Sequence, residues 1–341
     1  MKFYEGDDRV ALVEELGRPM RLGRWSELEV SDLDRCQAAL REQNLERALE
    51  YLPHVFVGQA VMLKIAYEWV LRWLAFAPPE AVAPGNQTFE ASLSEPEREV
   101  GQSILHILTP QPESVSGPMT RLEERFPWLG QGYAQVVEGA RNGEWDNSHH
   151  ECERLFRLHR LVHDLLFRHS WALMSQLPQP LVEQGLREVL TQSSFYEASW
   201  QQSEGMTAEE IAVMLAEHMR MHFSGPDGTG KVTIADQGES ILLSFDPCGS
   251  GGAMRRRLGD QAVFANLPHS SPLTWGRAGE VPAYCAHCAV NELEAVRRRG
   301  HLVWATEFDP DASRPCGWRI FKDPARIPEA YYQRLGLRPP S

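Results

Sequence analysis

The sequence has no excess of positive charge. Its 341 residues include 34 Lys and Arg but 47 Asp and Glu, which gives a formal net charge of −13. Because neutralising phosphates dominates nucleic-acid affinity, we expect no nucleic-acid partner. The first residues, Met-Lys-Phe-Tyr-Glu-Gly-Asp-Asp, also contain no apolar segment, so we expect no secretory leader.

Long uninterrupted apolar runs are missing as well. The most apolar stretch, residues 55–77, is interrupted by Lys64, Glu68 and Arg72. These charges are spaced four apart, which is typical of one face of an amphipathic helix and not of a membrane span. We therefore expect no membrane association and a cytoplasmic location, where thiols stay reduced and clustered cysteines more often bind metal than form disulfides.

Two motifs are present only in part. Residues 225–231 have the spacing of a phosphate-binding loop, but Val232 stands where the magnesium-binding hydroxyl should be. We therefore expect a turn from helix to strand there. His159 and His218 each begin a His-x-x-x-His pair, yet neither is followed by the Glu of a zinc-protease helix.

The pattern of apolar residues predicts an α+β fold. A mainly helical domain is expected over 1–222 and a smaller α+β cysteine module over 223–341. Within the first domain, Pro53 is expected to end a helix, and a Pro-rich flexible connector is expected over about 77–120. The helices and strands expected with most support are 148–176, 181–190, a capping-box helix over 207–223, and a hairpin of 231–234 with 240–245.

Four of the six cysteines lie close together in the sequence of the predicted module. Cys285 and Cys288 form a C-x-x-C, and Cys248 and Cys316 each stand between a Pro and a Gly. Thiolates in such turns can converge on zinc at about 2.3 Å, so we predict a metal held by these four residues, with zinc first and iron second. The alternatives are small buried side chains, or a disulfide or redox pair at Cys285 and Cys288.

Several groups near these cysteines are candidates for catalysis and binding. His218 and His222 lie four apart on one helical face, and His287 lies inside the C-x-x-C, so each could act as a general base or a ligand. Gly249 to Gly252 precede Arg255, Arg256 and Arg257, and with Arg277 they could hold a small anion. Equally, the glycines could shape a metal turn and the arginines could face solvent. His159 and His163 form a second pair with the same spacing.

A resemblance rests on five segments of the C-terminal part. They are His-Met-Arg-Met-His-Phe-Ser-Gly-Pro (218–226), Phe-Asp-Pro-Cys-Gly-Ser-Gly-Gly (245–252), Trp-Gly-Arg (275–277), Tyr-Cys-Ala-His-Cys-Ala-Val-Asn-Glu (284–292) and Phe-Lys-Asp-Pro (321–324). In these the chain resembles an uncharacterised bacterial family that is distantly similar to L-2-amino-thiazoline-4-carboxylate hydrolase-like proteins. The resemblance implies a small-molecule hydrolase, such as one that opens a sulfur heterocycle, and assigns no catalytic residue.

Three functions follow as hypotheses. The leading one is a cytoplasmic zinc-dependent hydrolase that acts on a small anionic molecule through a metal-activated water. The second is a non-catalytic protein with a structural zinc site and a helical surface for partner binding or regulation. The third is an iron-dependent oxidative enzyme that uses the paired histidines. The sequence leaves the substrate and the oligomeric state open.

Overall fold

The computed structural model of the chain describes residues 10–13, 18–21, 29–108, 122, 124–191, 200–201, 203–221, 231–258 and 266–340. The chain divides into two compact units. The helical unit comprises Ser31–Leu177 with Met221–Gly225. The mixed unit comprises Met1–Val30, Pro178–Arg220 and Pro226–Ser341.

The helical unit is built around one long helix. Its described helices are α1 (Asp32–Arg41), α2 (Leu45–Phe76), α3 (Pro79–Ala91), α4 (Arg98–Leu108), α5 (Trp128–Arg141) and α6 (Trp145–Met174). Helix α6 packs against each of the other five. Every residue of its C-terminal segment from Leu165 to Met174 is buried, as expected for a helix surrounded by other helices.

Two proline-containing segments are helical where the sequence predicted otherwise. Pro53 lies inside α2, and the first part of the expected connector forms α3 and α4. Helix α2 continues because Leu52 and Val55 on either side of the proline are buried, so packing compensates for one missing backbone hydrogen bond. Pro79 occupies the first turn of α3, where its missing N–H costs nothing. Residues 109–120 of the connector lie outside the described residues.

The mixed unit contains an antiparallel sheet and five further helices among its described residues. The helices are α7 (Gln179–Thr191), α8 (Ala208–Met221), α9 (Gly251–Leu258), α10 (Ala286–Arg299) and α11 (Glu329–Gln333). After the short hairpin of β1 (Val10–Val13) and β2 (Arg18–Arg21) come β3 (Lys231–Asp236), β4 (Ser240–Asp246), β5 (Ala305–Glu307) and β6 (Cys316–Phe321). The last four form one sheet in the order β3-β4-β6-β5.

Alternation along β4 creates the core of this unit. Ile241, Leu243 and Phe245 are buried and belong to one apolar cluster with Leu215 and Met219 of α8. Because successive strand residues point to opposite faces, one face of the sheet is covered by α8. The predicted hairpin is confirmed by the pairing of β3 with β4.

The α8 N-terminus matches the sequence prediction. The Thr207 N–H donates to the Glu210 carboxylate at 2.8 Å, and the Glu210 N–H donates to Thr207 Oγ1 at 3.2 Å. This reciprocal pair is a capping box, which satisfies two otherwise unpaired backbone donors. The predicted phosphate-loop-like turn falls mostly on residues 222–230, which lie outside the described residues.

The α+β layout agrees with the sequence, but the grouping of segments differs from the predicted boundary at 222/223. Helices α7 and α8 group with the sheet and not with the helical unit. The apolar face of α8 explains this, since its buried residues pack on the sheet. In the part of the chain described here, no helix combines the length and apolarity that crossing a bilayer requires.

Candidate metal centre

Cys248 lies in the tight turn that joins β4 to α9. The backbone N–H of Gly252 donates to its Sγ atom at 2.9 Å. Donors aimed at sulfur favour the thiolate over the thiol. Burial nevertheless raises the pKa of Cys248, so this hydrogen bond offsets only part of the cost of ionising the thiol.

Cys285 and Cys288 belong to the start of α10. Cys285 is the N-cap residue, and Cys288 follows in the first turn. Thiols at this end of a helix lie near its positive dipole, which favours the negative form. The three-residue spacing thus brings both sulfurs to the same end of one helix.

Cys316 begins β6 and lies opposite Phe245 in the ladder between β4 and β6. Since β4 leads directly into the turn that contains Cys248, strand pairing places Cys316 beside that turn.

The four thiols are electrostatic neighbours. Burial, with a further contribution from Cys248, raises the pKa of Cys285 to about 12. Burial and then the other three thiols raise the pKa of Cys288 well above its usual value, and burial with Cys248 and Cys285 does the same for Cys316. Ionising four such neighbours together requires a compensating cation, because like charges at short range oppose each other.

The thiols are neighbours without forming a finished coordination shell. All four cysteines are free and partly exposed. Within the described ranges, no group of three or more His, Cys, Asp or Glu side chains is arranged to hold a metal ion. Metal binding by these residues would therefore require their side chains to turn toward a common point, and it stays a prediction.

Two glycines allow the segments to approach closely. A Cβ added at Gly251 would lie 2.7 Å from the Tyr284 ring and 3.3 Å from Cys285 Sγ. A Cβ added at Gly252 would lie 3.1 Å from Cys248 Sγ. Real side chains almost never approach as closely as the 2.7 Å found at Gly251, so glycine is favoured there, where α9 meets the segment before α10.

The arginines predicted to form an anion site bind the protein itself. Arg255 donates to the carbonyls of Asp309 and Pro310. Arg256 pairs with Asp246 and donates to the carbonyls of Ala312 (2.6 Å) and Ser313 (3.1 Å). Both guanidinium groups thus hold the loop before Cys316 against α9, an arrangement that leaves fewer donors for an anion.

Arg277 and Arg257 lie at the surface. Arg277 approaches Glu280 at 3.5 Å in an exposed pair, and Arg257 is exposed at the C-terminal end of α9. Arg255 and Arg256 therefore brace the loop at 309–313, and the anion site stays a prediction.

The predicted catalytic histidines have different surroundings. His287 Nδ1 donates to the Tyr284 carbonyl at 2.6 Å, and Nε2 lies 3.6 Å from Cys288 Sγ. Burial lowers the pKa of His287 to about 4, so its ring is neutral at pH 7. His218 is 7% exposed on α8, and His222 lies outside the described residues.

The second histidine pair is buried in α6. His159 Nδ1 bonds to the Leu155 carbonyl at 2.8 Å, and His163 Nδ1 lies 3.2 Å from Asp164 Oδ1. Both rings are fully buried. One nitrogen of each ring therefore already contacts an oxygen atom of the same helix. Iron binding by this pair stays a prediction.

Sequence reasoning missed a buried carboxylate on α10. Glu292 is fully buried and accepts hydrogen bonds from Trp275 Nε1 (2.8 Å), Arg334 (2.8 Å) and the Thr306 N–H. It joins three separate segments, among them β5. The sequence feature that could have pointed to Glu292 is its position four residues after Cys288, on the same helical face.

Comparisons with protein-family models, curated proteins and solved structures found no match.

Proposed function

We propose that Cys248, Cys285, Cys288 and Cys316 bind one zinc ion, which holds three segments of the mixed unit together and gives the protein a structural metal centre. The observation that carries the proposal is the hydrogen bond from the Gly252 N–H to Cys248 Sγ at 2.9 Å, beside three further thiols. Such donors stabilise a thiolate, the form that binds metal.

The ligand chemistry favours a closed zinc site. Four thiolates complete the tetrahedral shell that zinc prefers, and a complete shell leaves no position for a reacting water. The arginines that could have held an anionic substrate are bonded to the loop at 309–313. A structural role, with the helical unit providing a binding or regulatory surface, therefore fits these contacts best. Free thiols of this kind suit a reducing compartment, so we propose the cytoplasm.

A zinc-dependent hydrolase acting on a small anionic molecule is the second candidate. Its support is the position of His287 Nε2, 3.6 Å from Cys288 Sγ. If this ring replaced one sulfur ligand, or acted on a zinc-bound water, the site could be open and catalytic.

X-ray absorption at the zinc edge separates the two. The structural proposal predicts four sulfur ligands at about 2.3 Å and an unchanged spectrum in His287→Gln. Three sulfurs with one nitrogen or oxygen, and a changed spectrum in His287→Gln, would favour the hydrolase. If protein purified without chelator contained no metal, both the structural proposal and the hydrolase proposal would be rejected.

A further inference from the structure

A cavity of about 630 Å³ lies between α2 and α5 of the helical unit. Its walls are apolar and aromatic, and include Leu49, Leu52, Phe56, Tyr133 and Val137. Its volume falls in the range of small-molecule sites, which are mainly apolar with a few polar groups that orient the ligand. The zinc proposal gives this cavity no role.

The aromatic wall is already fixed in place. Tyr133 is 6% exposed, and its hydroxyl donates to Gln59 Oε1. The Phe56 and Tyr133 rings contact each other with centroids 5.1 Å apart. A wall held in this way loses little conformational entropy when a ligand binds, so it suits a flat or branched apolar group.

The polar groups of the cavity carry both signs of charge. Glu138 and Arg141 lie one helical turn apart on α5, and Asn142 caps that helix. Both charged side chains are exposed, and among the described residues neither forms a side-chain hydrogen bond or ion pair. The C-terminal end of α5 adds negative partial charge, which favours a cation beside Glu138 and opposes an anion, so a carboxylate bound here depends on Arg141.

We propose that this cavity binds a small zwitterion of the amino-acid type. Its apolar side chain lies against Phe56 and Tyr133, its ammonium group at Glu138 and its carboxylate at Arg141. A ligand with only one charge would leave the opposite charge of the protein unpaired or repelled. The cavity belongs to the helical unit, so the inference is independent of the zinc centre.

Isothermal titration with L-phenylalanine and two analogues tests this. N-acetyl-L-phenylalanine lacks the ammonium group, and L-phenylalaninamide lacks the carboxylate. We expect the zwitterion to bind with a Kd below about 1 mM, as ligands of this size can. Each analogue should bind about two- to fivefold more weakly, the range of an exposed ion pair.

Matched variants locate the site. Ala134→Trp fills the cavity and should abolish binding, whereas Gln135→Trp, exposed on α5 but outside the lining, should retain it. Glu138→Gln should remove the preference over the acetylated analogue, and Arg141→Gln the preference over the amide. Circular dichroism checks that each variant is folded.

Three results would overturn the proposal. They are no binding of millimolar L-phenylalanine to the folded wild type, an analogue that binds at least as tightly as the zwitterion, or equal binding by Ala134→Trp and the wild type. Unchanged zinc content in these variants would keep this test separate from the metal proposal.

Discussion

The backbone N–H of Gly252 donates to the Sγ atom of Cys248 at 2.9 Å. This bond ties the first turn of α9 to the thiol that precedes it, and it explains why small residues follow Cys248. A hydrogen bond to sulfur lowers the cost of forming the thiolate, but burial still raises the pKa of Cys248, so this thiol needs a nearby cation to ionise readily.

Gly252→Ala is expected to weaken zinc binding. The added Cβ would lie 3.1 Å from both Cys248 Sγ and Pro247 Cβ, so these atoms would have to move by a few tenths of an ångström. Overpacking of this kind costs roughly 1–3 kcal/mol, which corresponds to about fivefold to 150-fold in affinity if the whole cost falls on the metal-bound state. Competition with a chromophoric chelator measures the change.

Gly101→Ala provides the control for that substitution. Its Cβ would lie 2.4 Å from Leu93 in the helical unit, away from the thiols. It should reduce stability while leaving zinc affinity unchanged. Equal affinities in wild type and Gly252→Ala would show that this turn does not present a metal ligand.

Arg256→Gln should destabilise the mixed unit. The variant loses the ion pair with Asp246 and bonds to the loop before Cys316. Because the side chain is 28% exposed, we expect a loss of only about 1 kcal/mol in the free energy of unfolding. Urea denaturation followed by fluorescence measures it.

Arg297→Gln is the matched control, since its partner is Glu294 in a surface pair where the arginine is 61% exposed. Its effect should be within about 0.5 kcal/mol. If Arg256→Gln instead kept full stability and lost affinity for phosphate, the result would support the anion site predicted from the sequence.

His159→Phe should flatten the dependence of stability on pH. Burial lowers the pKa of His159 from 6.5 to about 4. As pH falls below 6.5 the unfolded chain gains a proton that the folded chain does not, so stability falls between these values. The phenyl ring keeps the contacts with Trp128 and Tyr133.

Between pH 7 and pH 5 the wild type should lose about 2 kcal/mol more free energy of unfolding than His159→Phe. Urea midpoints at each pH measure the loss. His150→Phe replaces an exposed histidine of the same helix and should keep the wild-type profile. Identical profiles for His159→Phe and wild type would mean that this ring is not held neutral by burial.

Local patterns predicted much of the fold. The capping box at Thr207 and Glu210 and the β3–β4 hairpin depend on neighbours within a few residues, and both are confirmed. Pro53 was misjudged because the gain from burying the residues around it comes from packing partners far away in the chain. Element type was therefore easier to predict than the breaks between elements.

In the candidate site, too, local patterns predicted some features and missed others. The spacing of Cys285 and Cys288 and the Pro-Cys-Gly turns predicted a site of four thiols, whose charges raise one another's pKa but which, among the described residues, are not arranged to hold a metal, so the site stays a prediction. The carbonyl groups that accept from Arg255 and Arg256 lie 54 to 57 residues further along the chain, and no local pattern reveals them. Charge near a Gly-rich turn therefore could not distinguish an anion site from a brace.

Metal content of the purified protein tests the central proposal most directly. Wild type and Cys152→Ala, which changes a buried cysteine of the helical unit, should each contain one zinc per chain by elemental analysis. Cys285→Ser should lose most of it, because one of four thiolates is missing. A wild type without metal, or a Cys285→Ser variant with full zinc content, would contradict the account.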